Sequence, residues 1–149
     1  MRTLIVEDVH FLALILQRII QPYSRSDFAN NGAVAVEKYT KAFTKGRPYR
    51  LICLDLMLPE MDGFEVLRSI RQFEDDFNMP QEERTKIVVI SSFNDRKTVS
   101  RARKAGCDGY IAKPFKKDQV LLALSKLGII DYKLPDEDDF DEEHDDDDE

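Results

Sequence analysis

Apolar residues along this chain fall into two patterns, short solid runs and longer stretches where they recur at helical spacing. Thr3-Leu4-Ile5-Val6, Leu51-Ile52-Cys53-Leu54, Lys86-Ile87-Val88-Val89-Ile90 and Gly109-Tyr110-Ile111-Ala112 are of the first kind. A short unbroken apolar run reads as a strand buried on both faces. The second kind is exemplified by 9–21, where Leu12, Ile15, Leu16, Ile19 and Ile20 share one helical face and Pro22 follows. The alternation predicts strands at 2–6, 25–29, 50–54, 86–91 and 108–112, and helices at 9–21, 33–44, 63–73, 95–105 and 116–127. The second strand is short and more polar, and Asn30-Asn31-Gly32 after it is a turn signal. The second helix places Val36, Tyr39, Ala42 and Phe43 on one face. The third buries Phe64, Val66, Leu67, Ile70 and Phe73. Residues 74–85 are polar and acidic, contain Pro80, and read as an exposed loop. Repeated strand–helix units predict an α/β fold, a parallel sheet with helices on both faces. Its crossovers are right-handed.

Composition alters that picture at one end only. The 149 residues, 42% hydrophobic and 34% charged, suit one soluble domain. No apolar stretch approaches a membrane span, and a strand follows Met1-Arg2 at once, so neither an anchor nor a signal peptide is expected. Cys53 in a core strand and Cys107 beside a turn are read as reduced, in a cytoplasmic protein. The net charge of −7 is unevenly spread: of 29 acids twelve lie in 135–149, leaving 17 against 22 bases, about +5, in residues 1–134. A self-repelling run such as Asp145-Asp146-Asp147-Asp148-Glu149 has nothing to bury. Residues 135–149 are therefore expected to be a disordered acidic tail, and 1–134 the folded domain.

Chemistry is concentrated where the strands end. The first runs into Glu7-Asp8, the third into Asp55, the fourth into Ser91-Ser92 and the fifth into Lys113-Pro114. Open parallel sheets bind ligands beyond the carboxyl ends of their strands, where the strand order reverses. Three carboxylates meeting there would repel one another, by roughly 4 kcal/mol for two charges at 4 Å and an effective dielectric of 20. A divalent cation reverses the sign, and oxygen donors without His or Cys favour Mg²⁺. Asp8 and Asp55 are the expected direct ligands, with Glu7 acting through water. With the metal bound, Asp55 becomes a candidate nucleophile toward phosphorus, Lys113 a point charge for one phosphoryl oxygen, and Ser91 a hydroxyl donor for another.

At these residues the chain resembles the receiver domains of two-component response regulators. The resemblance spans about residues 1–130. It rests on Leu4-Ile5-Val6-Glu7-Asp8, on Asp55-Leu56-Met57-Leu58-Pro59-Glu60-Met61-Asp62-Gly63, on Ile90-Ser91-Ser92 and on Tyr110-Ile111-Ala112-Lys113-Pro114-Phe115. It implies a flavodoxin-like, doubly wound five-stranded sheet of order 2-1-3-4-5 with five helices on two faces. It also implies phosphorylation of Asp55 by a histidine kinase or phosphotransfer protein. Asp8 would be the main Mg²⁺ ligand, Met57 would add its backbone carbonyl, and Ser91 and Tyr110 would be switch residues. Such a protein catalyses only its own phosphorylation and dephosphorylation.

With few and mostly acidic residues after the fifth strand–helix unit, no output domain is expected. The chain is therefore similar to the stand-alone chemotaxis-type or phosphorelay regulators, signalling to a downstream protein through the fourth helix, fifth strand and fifth helix. That fourth helix carries Arg96, Lys97, Arg101, Arg103 and Lys104, a solvated basic face or a landing site for the acidic tail. The tail would repel nucleic acid. Two positions depart from the common pattern, Met57 and Phe93, both apolar where they would flank the path of hydrolytic water; they are expected to prolong an acyl phosphate. Two other readings stay open, a Mg²⁺-dependent phosphohydrolase and a receiver-like module that binds without phosphorylation. The first wants a second acid at position 57, where Met57 exchanges no proton.

Overall fold

The computed structural model describes residues 1–135; the acidic segment expected to be disordered lies, from residue 136 on, outside the described residues. Five strands, β1 (Arg2–Val6), β2 (Arg25–Ala29), β3 (Leu51–Leu54), β4 (Lys86–Ser91) and β5 (Gly109–Ala112), form one parallel sheet in the order β2-β1-β3-β4-β5. Helices α1 (His10–Ile20), α2 (Gly32–Thr44), α3 (Gly63–Asp76), α4 (Arg96–Ala105) and α5 (Lys117–Lys126) alternate with them.

The solid apolar runs split by alternation between two cores, because successive strand residues face opposite sides. Leu4, Val6, Ile52, Leu54, Ile87 and Val89 join the layer beneath α2, α3 and α4. Ile5, Leu51, Cys53, Val88 and Ile90 join the layer beneath α1 and α5. Burying each such aliphatic side chain contributes about 1.5–3 kcal/mol. The central strands have no polar face because both faces are covered. β2 lies at the sheet edge, which accounts for its polar sequence.

Side chains start three of the helices. The Asn31 oxygen accepts from the Val34 N–H at 2.8 Å, and Asp95 accepts from the Thr98 N–H at 3.1 Å. Asp62 and Glu65 satisfy each other's backbone donors reciprocally at the start of α3. Among the described residues no helix is long and apolar enough to cross a membrane.

One sequence expectation fails. Residues 74–85 are not simply an exposed loop: α3 continues to Asp76, a 3-10 turn spans Gln81–Glu83, and Glu74 and Thr85 are buried. The helix runs on because Arg71 and Glu74 pair at i, i+3 at 2.7 Å, and Phe73 stacks with Phe77 at i, i+4.

Candidate functional site

β1 is the strand from which neighbours depart in both directions, β2 on one side and β3 on the other. A crevice therefore opens beyond its carboxyl end. The sheet ladders fix what stands there. The Glu7 N–H donates to the Ala29 carbonyl at 3.0 Å, and the Asp55 N–H donates to the Val6 carbonyl at 3.0 Å. Glu7 and Asp55 are thus the first residues past the strands. Both side chains are nearly buried while Asp8 is exposed. One carboxylate oxygen from each of the three lies within 4.8 Å of the others.

A single ammonium enters this group from the fifth strand. Lys113 Nζ donates to Glu7 Oε1 at 2.9 Å and to Asp55 Oδ2 at 3.2 Å. Its backbone N–H donates to the Ser91 carbonyl at 2.8 Å, so β4 and β5 deliver Ser91 and Lys113 side by side. The Lys113–Pro114 bond is cis. Burial alone would lower the Lys113 pKa, but its hydrogen bond to Glu7 and the Asp55 charge outweigh it and hold the ammonium above its ordinary value. Burial raises the Glu7 carboxyl, the hydrogen bond from Lys113 opposes that, and the neighbouring Asp55 charge adds to the rise. Among the described residues Asp8 has no ion-pair partner.

Asp55 is gripped from two sides, since its Oδ1 also accepts from the Met57 N–H at 3.1 Å. The loop that supplies this contact is held tightly. A Cβ on Gly63 would fall 2.5 Å from Leu56 Cα, so only glycine lets the start of α3 press against Asp55 and Leu56. The Met57 side chain turns outward, 59% exposed, and Phe93 is 48% exposed.

Ser91 is fully buried, and its Oγ accepts from the Phe93 N–H at 3.0 Å. The half-buried Tyr110 donates its hydroxyl to the Phe93 carbonyl. The backbone of Phe93 therefore links Ser91 to Tyr110. Sequence reasoning weighed Phe93 for its ring alone; a backbone contact leaves no mark on residue type. All the other sequence candidates, Glu7, Asp8, Asp55, Met57, Ser91, Tyr110 and Lys113, fall at or beside this one edge. Both cysteines are free and buried, and burial pushes the Cys53 thiol up to about 12.

The donor set fits Mg²⁺. It offers hard oxygens from three residues, no His or Cys belongs to it, and it holds more negative charge than Lys113 can neutralise.

Known proteins share both the sequence and the shape. The chain is 32% identical to the chemotaxis protein CheY of Halobacterium salinarum over 127 residues, 85% of this chain and 95% of that protein. It is 33% identical to the chemotaxis protein CheY of Bacillus subtilis over 127 residues, 84% of this chain and 95% of that protein. A chain of the CheX-CheY-BeF3-Mg complex from Borrelia burgdorferi has the same fold, with a TM-score of 0.70 at 23% identity, covering 85% of this chain and 88% of its own. Residues 3–125 match the model of the response regulator receiver domain, and the chain belongs to that family.

Proposed function

We propose that this protein is a response regulator that accepts a phosphoryl group on Asp55 from a phosphohistidine donor and signals by an altered protein-binding surface. The observation that carries the reading is the single ammonium of Lys113 shared between Glu7 and Asp55 while the exposed Asp8 goes unpaired. That arrangement is short of positive charge by design of its residues, and a cation beside a phosphoryl group would supply it.

Mg²⁺ would be held by Asp8, Asp55 and the backbone carbonyl of Met57, with Glu7 reached through water; when bound it neutralises the carboxylates and the phosphoryl oxygens. An Asp55 oxygen forms the new bond to phosphorus as the donor's P–N bond breaks, and the departing imidazole nitrogen keeps that electron pair. The Met57 N–H and Lys113 fix the carboxylate's orientation. Lys113 then follows the growing negative charge on one phosphoryl oxygen, and Ser91 turns its hydroxyl toward another. Such a turn would disturb the bond from the Phe93 N–H to Ser91, and through the Phe93 carbonyl it would reach Tyr110. Tyr110 lines a cleft of about 460 Å³ with Arg103, Gln119 and Lys126, on the α4–β5–α5 face proposed to bind the downstream protein. The complex of the Borrelia burgdorferi relative with CheX, BeF3 and Mg supports both the metal and the protein partner.

Incubating wild type and Asp55→Asn with acetyl phosphate and Mg²⁺, and reading intact mass, tests the assignment. One added phosphoryl group is expected on wild type and none on the variant. An unmodified wild type, or equal modification of both, would defeat it.

A further inference from the structure

We propose a second ligand site, an anion site for a polyphosphate chain, in the cleft between α2 and the amino ends of β1 and β2. The cleft measures about 260 Å³. Five cations line it, Arg2, Lys38, Lys41, Lys45 and Arg47, against the one carboxylate of Asp27. Arg2 opens β1 and Glu7 follows its last residue, about 16 Å away at ~3.3 Å per residue, so this cleft is distinct from the acidic edge, with Lys38 the lining residue the two share.

Part of the charge is already fixed in place. Arg2 donates to Asp27 at 2.8 Å and to the Arg47 carbonyl, and its guanidinium lies 4.5 Å from the centre of the Tyr49 ring. Tyr49 in turn donates to Asp27 at 2.6 Å and is buried. The guanidinium is thus held on three sides, with 30% of its side chain still facing solvent. Lys38 is anchored by the Phe28 carbonyl. Lys41 pairs with Glu37 at 3.1 Å, an exposed pair of little strength. The ammonium of Lys45 and the guanidinium of Arg47 have no acceptor among the described residues.

A simpler explanation would have these cations serve the carboxyl end of α2. That end carries only about half a negative charge, and one cation answers it. Asp27 answers a second. Glu37 answers Lys41, so about two positive charges remain around one small cleft, and the free ammonium of Lys45 and free guanidinium of Arg47 offer a point charge and a planar fork to phosphate oxygens. A polyphosphate chain offers several anionic oxygens that reach both groups at once, whether it comes as inorganic tripolyphosphate or on a nucleotide.

Calorimetric titration of the full chain with sodium tripolyphosphate, in Mg²⁺-free buffer, tests the site. One molecule should bind per chain, more weakly as salt rises. A Lys45→Gln, Arg47→Gln double variant should bind about tenfold or more weaker. A Lys97→Gln, Lys104→Gln variant on α4 should bind as wild type does, and circular dichroism should show both variants folded. Absence of binding to wild type, equal binding by the cleft variant, or an equal loss in the α4 variant overturns the proposal. Adenosine triphosphate in the same titration distinguishes the sources: binding as tight as tripolyphosphate or tighter assigns the site to nucleotides, weaker binding to inorganic polyphosphate.

Discussion

Opposite ends of the same sheet hold two charge clusters, each of Glu and Asp carboxylates around one basic side chain. The first, or upper, cluster lies beyond the carboxyl ends of β1 and β3, where Glu7, Asp8 and Asp55 stand with Lys113; the second is the lower. At the amino ends of β4 and β5 stand Glu74 and Asp108 with Arg71. In the second cluster every guanidinium nitrogen of Arg71 and both carboxylate oxygens of Glu74 have a partner. Glu74 accepts from Arg71 at 2.7 Å, from Tyr39 at 2.8 Å and from the Thr85 N–H at 2.9 Å. Arg71 also reaches Asp108, the Gly106 carbonyl and the Thr85 carbonyl, each within 2.9 Å. Asp108 accepts in addition from the Ile87 N–H. Burial and the bond to Glu74 push the Tyr39 phenol far above its usual range, which keeps it a donor. The buried Thr85 hydroxyl beside this cluster has no partner among the described residues. The first cluster has three acids, one ammonium, and an exposed Asp8 that nothing in the described chain neutralises. The number of donors available, not the identity of the acids, separates a closed structural network from a site that calls for a ligand.

The contrast is broken most directly at Glu74. Replacing it with Ala leaves Arg71 buried with one carboxylate instead of two and the Tyr39 hydroxyl without its acceptor. The expected loss is about 3–5 kcal/mol, read by urea unfolding. A loss near zero would mean that the lower cluster is no more closed than the upper one.

The same pair of clusters shows what the chain's pattern discloses. The upper cluster was legible because each acid ends an apolar run, and strand ends in a parallel sheet converge whatever the loops do. The second helix start was legible from the turn signal at Asn30-Asn31-Gly32, and the others from the alternation of strands and helices; the caps Asn31, Asp62 and Asp95 emerge only in the structure. The lower cluster was not. Glu74 stands in a stretch rich in Glu and Asp, and its burial depends on α3 running past Phe73 so that Arg71 comes beneath it. The Arg71-x-x-Glu74 and Phe73-x-x-x-Phe77 spacings carried that signal, and Pro80 and the acidic composition outweighed it. Arg101, on the basic face of α4, is exposed, and its guanidinium also lies 3.7 Å from the centre of the Phe64 ring, a contact that residue type does not signal.

A second test sharpens the comparison at the open cluster. The closed network excludes water by burial, whereas the open one is rimmed by Met57 and Phe93, both largely exposed. If that apolar rim shields a phosphorylated Asp55, a Met57→Asn, Phe93→Glu double variant should lose its phosphoryl group several-fold faster, followed by intact mass after the donor is removed. An unchanged half-life would show that the rim plays no part.

Asp8→Asn gives a smaller effect of opposite sign to Glu74→Ala. Removing one of three crowded negative charges relieves repulsion, so the thermal midpoint without metal should rise slightly. Mg²⁺ should raise the midpoint of wild type, as any ligand of the native state does, and raise that of Asp8→Asn much less. A lowered metal-free midpoint in the variant would place Asp8 among the structural acids.

The smallest effect is expected at Asp27, which lies between the two cases: paired as Glu74 is, but 45% exposed at its side chain. The hydrogen bond from Tyr49 does most to lower its pKa; partial burial works against that, and Arg2 adds to the lowering. A carboxyl lowered in the folded state contributes stability that is complete above its unfolded value, about 3.9, and fades as pH falls through the folded value. Wild type should therefore lose slightly more stability than Asp27→Asn between pH 5 and pH 3, a difference of about 0.2–1 kcal/mol given the pair's exposure. Urea midpoints of the two proteins across that interval measure it. Parallel curves would show that Tyr49 and Arg2 hold Asp27 no better than water does, and that pairing without burial leaves an acid closer to Asp8 than to Glu74.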